Sequence, residues 1–148
     1  MAYKTPVSVL VVIYTPGLQV LLLERADHPG YWQSVTGSCD PGETLRQTAL
    51  REVAEETGLD AELYKFSDWN VENVFEIYPE WRHRYGPGVT HNTEHVFGLE
   101  VPQPAPVRLA PREHLNFVWL PWQEAAAKVF SWTNVAAIER LPEMAGKD

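Results

Sequence analysis

An uncharged run of eight residues, Val7–Tyr14, limits the fold of this chain more than any other segment. It reads VSVLVVIY, which is far too short to span a bilayer, and its β-branched residues are typical of a buried strand. A second apolar run, in QVLLLERA, follows after Thr15-Pro16-Gly17, which is a turn signal. The two runs therefore predict a hairpin whose first strand is buried.

The rest of the chain alternates between strand and helix patterns. Strands are predicted at Glu72–Tyr78 and Thr93–Val101. A helix is predicted over Thr44–Thr57, which lacks Gly and Pro and is followed by Gly58, and two further helices in PWQEAAAKVF and NVAAIERL. This order predicts an α/β fold with helices on a mixed sheet, and the length suits a single domain, residues 1–148.

The formal net charge of −8 argues against non-specific binding to nucleic acid or to an anionic membrane. A single cysteine, Cys39, cannot form an internal disulfide, which suits a reducing compartment. We therefore expect a cytoplasmic protein that acts on a small molecule. The sequence leaves the oligomeric state open.

The predicted central helix carries three glutamates, Glu52, Glu55 and Glu56. On a helical wheel Glu56 falls about 20° from Leu45, at the margin of the apolar stripe. Arg51 lies one turn before Glu55 and can pair with it, which leaves Glu52 and Glu56 without a compensating neighbour on the helix. A solvated acidic face explains Glu55 well and Glu56 poorly. A divalent cation bound by carboxylate oxygens is the alternative explanation.

The residues around this helix follow a fixed spacing, G-x5-E-x7-R-E-V-A-E-E-T-G-L, that begins at Gly37. Every defined position matches the Nudix box, and on this pattern the chain resembles the Nudix hydrolase family. The resemblance implies the Nudix fold, a mixed β-sheet sandwiched between α-helices, with the box as a loop–helix–loop. It also implies Mg²⁺-dependent hydrolysis of a nucleoside diphosphate linked to another group, with Mn²⁺ as a substitute ion.

Segments outside the box resemble one Nudix subgroup, the bacterial dihydroneopterin triphosphate diphosphatases of folate synthesis. They include YKTPVSVLVVIY, LLERADHPGYWQSVTGS, WRHRYGPGVTHNTEH, REHLNFVWL and SWTNVAAIE, and the likeness runs from about Tyr3 to Glu139. This resemblance implies release of pyrophosphate from 7,8-dihydroneopterin triphosphate, which leaves the monophosphate.

The same resemblance implies a set of site residues. The metal ligands would be Glu52, Glu56 and Glu113, although Glu113 taken alone looks like an exposed loop acid. Arg51 and Glu55 join them as candidate catalytic residues, and the general base stays open among Glu55, Glu56 and Glu113. The substrate contacts would be Lys4, Arg25, Thr36, Phe75, Glu76, Ile77, Tyr78 and Ser131.

Two further features are candidates for substrate contact. The loop Arg82–Gly88 holds the densest positive cluster of this acidic chain and is either a cover for the triphosphate or an ordinary surface loop. A flat ring also needs aromatic faces, for which the candidates are Trp32, Phe75, Tyr78 and Trp81.

Two rival functions remain open at the level of sequence. One is a broader pyrophosphohydrolase of nucleoside and deoxynucleoside triphosphates with the same fold. The other is a non-catalytic nucleotide-sensing module, which we would expect to have lost acids of the box. Retention of Glu52, Glu55 and Glu56 argues against the sensing module.

Overall fold

A computed structural model describes residues 3–145 of the chain. It contains seven strands in one sheet: β1 (Val7–Tyr14), β2 (Gln19–Arg25), β3 (Trp32–Gln33), β4 (Val35–Ser38), β5 (Lys65–Glu76), β6 (His91–Glu100) and β7 (His114–Pro121). The predicted hairpin is confirmed, since β1 and β2 are antiparallel neighbours with Tyr14 opposite Val20.

Strand β5 begins at Lys65, seven residues before the predicted start at Glu72. Its first half, KFSDWN, has too few apolar residues in alternation to be recognised as a strand. The register against β6 shifts between Asp68 and Val71, and Asn70 has a positive φ of 55°. This bulge interrupts the period of two on which strand prediction depends.

Four α-helices accompany the sheet among the described residues: α1 (Leu45–Thr57), α2 (Trp122–Lys128), α3 (Trp132–Glu139) and α4 (Leu141–Met144). Helix α1 confirms the prediction closely because both of its ends are fixed locally. Thr44 caps the first turn and forms a capping box with Gln47. Gly58 ends the helix with a left-handed φ of 77°. None of the helices within residues 3–145 is both long and apolar enough to cross a membrane.

The alternation of side chains along β1 explains why nearly all of the run is apolar on both faces. Val9 and Val11 face one side of the sheet, where they pack with Ala49 and Val53 of α1. Leu10, Val12 and Tyr14 face the other side and pack with Ala125, Ile138 and Leu141 of the C-terminal helices. The sheet is therefore covered on both faces, as the predicted α/β sandwich requires.

The sheet is mixed, and β1 has different neighbours along its length. It runs parallel to β6 over all eight residues and antiparallel to the other two strands that it pairs with. Its first half, Ser8–Val11, pairs with β4, whereas β2 joins it only at Tyr14. Strands β2 and β4 thus diverge from one edge of β1. Residues of the N-terminal half of β1 border a cavity.

Candidate active site

A cavity of about 610 Å³ collects most of the residues that the sequence singled out. Its walls come from β1, β4 and β6, from the acidic side of α1, from the end of β5 and from the start of α3. This is the size range of pockets that bind small organic ligands. Of the predicted site residues, Lys4, Arg25, Thr36, Arg51, Glu52, Glu56, Phe75, Ile77, Tyr78, Glu113 and Ser131 line it.

Two carboxylates of α1, Glu52 and Glu56, form one wall of the cavity. They are 9% and 2% exposed, respectively. Burial raises the pKa of both groups, and the neighbouring Glu52 raises that of Glu56 further. The backbone N–H of Thr36 donates to Glu56, yet Oε1 of Glu56 has no hydrogen-bond partner among residues 3–145. Two buried carboxylates this close together require either a proton or a cation between them.

Arg51 links this pair to the loop before the helix. Its guanidinium donates to Glu43 at 2.7 Å, to Glu52 at 2.7 Å and to the Ser38 carbonyl at 3.1 Å. The predicted contact with Glu55 is present at a longer distance, 3.2 Å. The expectation that Glu52 lacks a partner on the helix was therefore wrong, because Arg51 folds back onto it. Arg51 also lowers the pKa of Glu43 to about 2.

Gly37 of β4 lies against the carboxylate of Glu52. A Cβ at this position would overlap with the carboxylate atoms of Glu52. Gly37 has an ordinary negative φ, so the requirement for glycine here comes from this close approach and not from the backbone conformation. The strand therefore determines where the Glu52 side chain can lie.

The acidic wall has the chemistry of a site for a hard divalent cation. Carboxylate oxygens are the ligands that such ions prefer. Oε1 of Glu56 makes no hydrogen bond within residues 3–145 and lies 3.7 Å from Nε2 of His114, so it is available to bind an ion. Within residues 3–145, however, no three His, Cys, Asp or Glu side chains already converge as a ligand set. The side chain of Glu113 is exposed. It lies on a turn that is held in place by a hydrogen bond of 2.9 Å from the Ala26 N–H to the Glu113 carbonyl. The structure therefore brings Glu52 and Glu56 together, and the third ligand stays a prediction.

Besides Arg51, the cationic residues that line the cavity are Lys4, Arg25, Arg84 and Arg112. Arg25 is held by both oxygens of Asp27, at 2.6 and 2.7 Å, and its guanidinium lies 4.3 Å from the centre of the Trp81 ring. Desolvation and the two neighbouring arginines lower the pKa of Lys4. Cations with this arrangement suit a polyphosphate, because an anion relieves their mutual repulsion.

The loop Arg82–Gly88 contributes only part of its predicted positive cluster to the cavity. Arg84 lines the cavity and pairs with Asp27 at 3.0 Å. Arg82 instead bonds the carboxylate of Glu76 at 3.1 Å and the Ile77 carbonyl at 3.0 Å. Arg82 and His83 lie outside the cavity lining.

The aromatic candidates divide in the same way. Phe75, Tyr78 and Trp81 line the cavity, and the Tyr78 and Trp81 rings are 5.3 Å apart. Phe130, which the sequence did not suggest, completes the group edge-on to both of those rings. Trp32 lies elsewhere, where Lys128 packs 4.9 Å above its ring.

Two predicted site residues lie outside the cavity. Glu76 is exposed and pairs with Arg82, since the alternation of the strand turns it away from the face that carries Phe75 and Ile77. Glu55 is exposed and pairs with Arg51, as a solvated acid would. Their predicted contacts with the substrate and the reacting groups remain untested.

The two predicted hydroxyl contacts lie in the cavity wall and already have protein partners. Thr36 donates its hydroxyl to the Val9 carbonyl at 2.8 Å. Ser131 caps α3, where its hydroxyl oxygen accepts from the Asn134 N–H at 3.3 Å. Each hydroxyl can still accept a hydrogen bond from a ligand.

Sequence reasoning missed two polar residues of β6, Asn92 and Glu94, which are 2% and 4% exposed and line the cavity. A signal for them was present in the sequence. In HNTEHVFGLE, positions 92 and 94 place polar side chains two apart on one face of a strand that should be buried. Such residues are expected where the face borders a polar cavity.

Comparison with known proteins shows the family of this chain. The NUDIX domain model matches residues 4–141. The dihydroneopterin triphosphate diphosphatase of Escherichia coli K12 is 48% identical over 94% of this chain and 93% of its own length, and the Haemophilus influenzae enzyme of the same name is 42% identical over 95% and 89%. The solved structure of the E. coli dihydroneopterin triphosphate pyrophosphohydrolase superposes with a TM-score of 0.89, covering 95% of this chain and 97% of that one. This chain is therefore a member of the Nudix family.

Proposed function

We propose that this protein is a Nudix hydrolase that converts 7,8-dihydroneopterin triphosphate to dihydroneopterin monophosphate and pyrophosphate, with Mg²⁺ as cofactor. One observation supports this most strongly: the buried pair Glu52 and Glu56 lies in the same cavity as Lys4 and Arg25. An acidic wall next to cationic side chains suits a metal-bound polyphosphate. The near full-length similarity to dihydroneopterin triphosphate diphosphatases supports the choice of substrate.

Each group has a role that follows from its position. Glu52 and Glu56 would hold the divalent ion, which neutralises phosphate oxygens and acidifies a bound water when present. Arg51 orients Glu52 through its 2.7 Å hydrogen bond. Lys4 and Arg25 bind phosphate oxygens, and Asp27 keeps the Arg25 guanidinium in place.

The positions of the three candidate general bases differ. Glu55 lies outside the cavity and is engaged by Arg51, whereas Glu56 and Glu113 line the cavity. We therefore favour Glu56 or Glu113 as the carboxylate that orients the attacking water. Under this proposal the protein acts on a small molecule in the cytoplasm and has no nucleic acid or membrane partner.

Product analysis in ¹⁸O-labelled water tests the function. The protein and Mg²⁺ are incubated separately with 7,8-dihydroneopterin triphosphate and with each of the four deoxynucleoside triphosphates. The products are identified by mass spectrometry. We expect pyrophosphate and monophosphate from the pterin compound, with kcat/KM at least tenfold above that for any nucleotide. The labelled product identifies the attacked phosphorus, because the new oxygen bonds to that atom.

Two outcomes would overturn the proposal. Comparable efficiency on several nucleotides with poor hydrolysis of the pterin compound would favour the broader pyrophosphohydrolase. No hydrolysis of any compound with either Mg²⁺ or Mn²⁺ would favour the sensing module.

A further inference from the structure

Glu94 is a buried carboxylate that the proposed chemistry does not use. Its side chain lines the cavity, and the Thr133 hydroxyl donates a hydrogen bond to it. Its Oε1 has no partner within the described part of the chain. An unsatisfied buried carboxylate is costly, so its presence in a cavity wall indicates that a ligand supplies the missing donors.

A second unsatisfied acceptor lies two residues earlier on the same strand face. The amide nitrogen of Asn92 donates to the Ser8 hydroxyl at 2.7 Å, and this contact directs the amide. The carbonyl oxygen Oδ1 of Asn92 has no partner within residues 3–145. Side chains at i and i+2 of a strand are roughly 6–7 Å apart at their origins, so both acceptors can contact a single ring system.

Glu94 is electrostatically separate from the acidic wall of the cavity. Burial raises the pKa of Glu94 to about 7 and the Thr133 hydrogen bond opposes this shift, so the causes do not include a charged neighbour. The pKa of Glu56, in contrast, is raised by burial and by the neighbouring Glu52 and Glu113, and that of Glu52 responds to burial and also to Arg51 and Glu55. Glu94 therefore suits a neutral hydrogen-bond donor better than a metal ion.

We propose that Glu94, assisted by Asn92, recognises the N–H and adjacent amino group of a 2-amino-4-oxopyrimidine ring. This inference rests on the proposed function and names the residues that select its substrate. A carboxylate accepts two parallel N–H bonds from such an edge, which a pterin shares with guanine. Adenine and cytosine place a ring acceptor beside their amino group, so the same carboxylate repels that acceptor.

The nearby aromatic side chains support a flat ligand in this part of the cavity. Phe75 lies directly opposite Asn92 in the pairing of β5 with β6. Tyr78, Trp81 and Phe130 continue the apolar lining. A ring held by its polar edge and packed against aromatic faces has both of the interactions that position a heterocycle.

Binding of ring analogues tests the inference without depending on catalysis. The α,β-methylene analogues of dGTP, dITP and dATP are titrated calorimetrically into wild type with Mg²⁺. They share the triphosphate chain, and dITP differs from dGTP only by the missing amino group. Because a hydrogen bond to a charged group is strong, we expect wild type to bind the dGTP analogue at least tenfold more tightly than the dITP analogue. Equal affinities in wild type would overturn the inference, and this result needs no variant.

The variant Glu94→Gln extends the test. Its amide keeps the size of the side chain but presents a donor to one of the two ring donors. We expect this variant to bind the dGTP and dITP analogues with affinities that differ by less than twofold. Its affinity for the dATP analogue should stay the same or increase. The retained dATP binding also shows that the variant folds. Glu100→Gln, on the same strand but outside the cavity lining, is the matched control and should keep the wild-type ratio.

The two proposals can fail separately. An unchanged dGTP-to-dITP ratio in Glu94→Gln, in a protein that still releases pyrophosphate from the pterin compound, would refute the role of Glu94 alone. If wild type does not hydrolyse the pterin compound, and Glu94→Gln loses the preference for the dGTP analogue over the dITP analogue, the proposed substrate is refuted and the ring site stays in place.

Discussion

Gly37 and Glu52 are in such close contact that the carboxylate occupies the space of a side chain at position 37. The contact joins β4 to α1 at the acidic wall of the cavity. It gives the first glycine of the Nudix pattern a packing role, which is to admit one of the proposed metal ligands.

Gly37→Ala should therefore displace Glu52 and lower kcat/KM by about 100-fold, the scale expected for a displacement of about 1 Å at a reacting centre. Steady-state kinetics at several Mg²⁺ concentrations measures the effect. Gly17→Ala is the matched control, because a Cβ there would have only an ordinary contact at 3.9 Å and the backbone φ is not positive. A wild-type rate in Gly37→Ala would show that Glu52 does not need its present position.

Glu56→Gln should lower turnover by more than 100-fold and abolish stabilisation by Mg²⁺. At 100 times its dissociation constant a bound ion stabilises a folded protein by about 2.7 kcal/mol, so the midpoint of thermal unfolding should rise with Mg²⁺ only in wild type. The free energy of unfolding without metal should not fall, since burial and Glu52 raise the pKa of Glu56 and the neutral amide replaces a buried group that must otherwise hold a proton. Exposed Glu62→Gln serves as the control. A near wild-type rate in Glu56→Gln at saturating Mg²⁺ would refute the ligand assignment.

Glu113→Gln distinguishes a metal ligand from an exposed loop acid. If Glu113 completes the ligand set when substrate and ion are bound, the Mg²⁺ concentration for half-maximal activity should rise about tenfold, which corresponds to about 1.4 kcal/mol of binding. Stability without metal should stay within 0.5 kcal/mol, roughly the usual range for surface substitutions. A Mg²⁺ dependence identical to that of wild type would assign Glu113 to the surface.

Asp27→Asn should weaken substrate binding through Arg25. The two oxygens of the aspartate hold one edge of the guanidinium, Nη2 at 2.6 Å and Nε at 2.7 Å, and its own pKa is lowered to about 2 as a result. We expect KM for the triphosphate to rise about tenfold with a small change in kcat, because uniform binding is lost. Asp60→Asn, which keeps a capping side chain outside the cavity, is the control. A lower kcat at unchanged KM would contradict this role for the pair.

Glu94 should make the metal-free protein less stable as the pH rises. Burial raises its pKa from about 4.5 to about 7, so between these values the folded state keeps a proton that the unfolded chain has lost. The free energy of unfolding therefore falls with rising pH across this window. Glu94→Gln lacks this loss, and its stability relative to wild type should increase by up to about 3 kcal/mol between pH 4.5 and pH 8.

Urea denaturation at the two pH values, with chelator present, measures this difference. Titration of Glu52 and Glu56 changes the free energy of unfolding equally in wild type and in Glu94→Gln, so it cancels in the difference between them. Glu100→Gln should show no such change relative to wild type. A constant difference between wild type and Glu94→Gln would mean that Glu94 titrates normally.

Much of the fold was predictable because its signals are local. Thr44 and Gly58 fixed the ends of α1, and Thr15-Pro16-Gly17 marked the first hairpin. The start of β5 was missed because a bulge near Asn70 breaks the strand period. In the acidic helix, the spacing of the glutamates indicated shared chemistry without revealing that Arg51 bonds Glu52 and Glu43.

The sequence by itself determined the family, the acidic helix and the elements of the sheet, since each depends on residues close together in the chain. The tertiary structure alone decided which distant side chains share the cavity. Parallel pairing of β1 with β6 sets Ser8 beside Glu94, and divergence of β4 from β2 leaves this part of the sheet next to Glu52 and Glu56. Strand register sets such contacts, and a shift of one residue would turn Glu94 to the opposite face of the sheet.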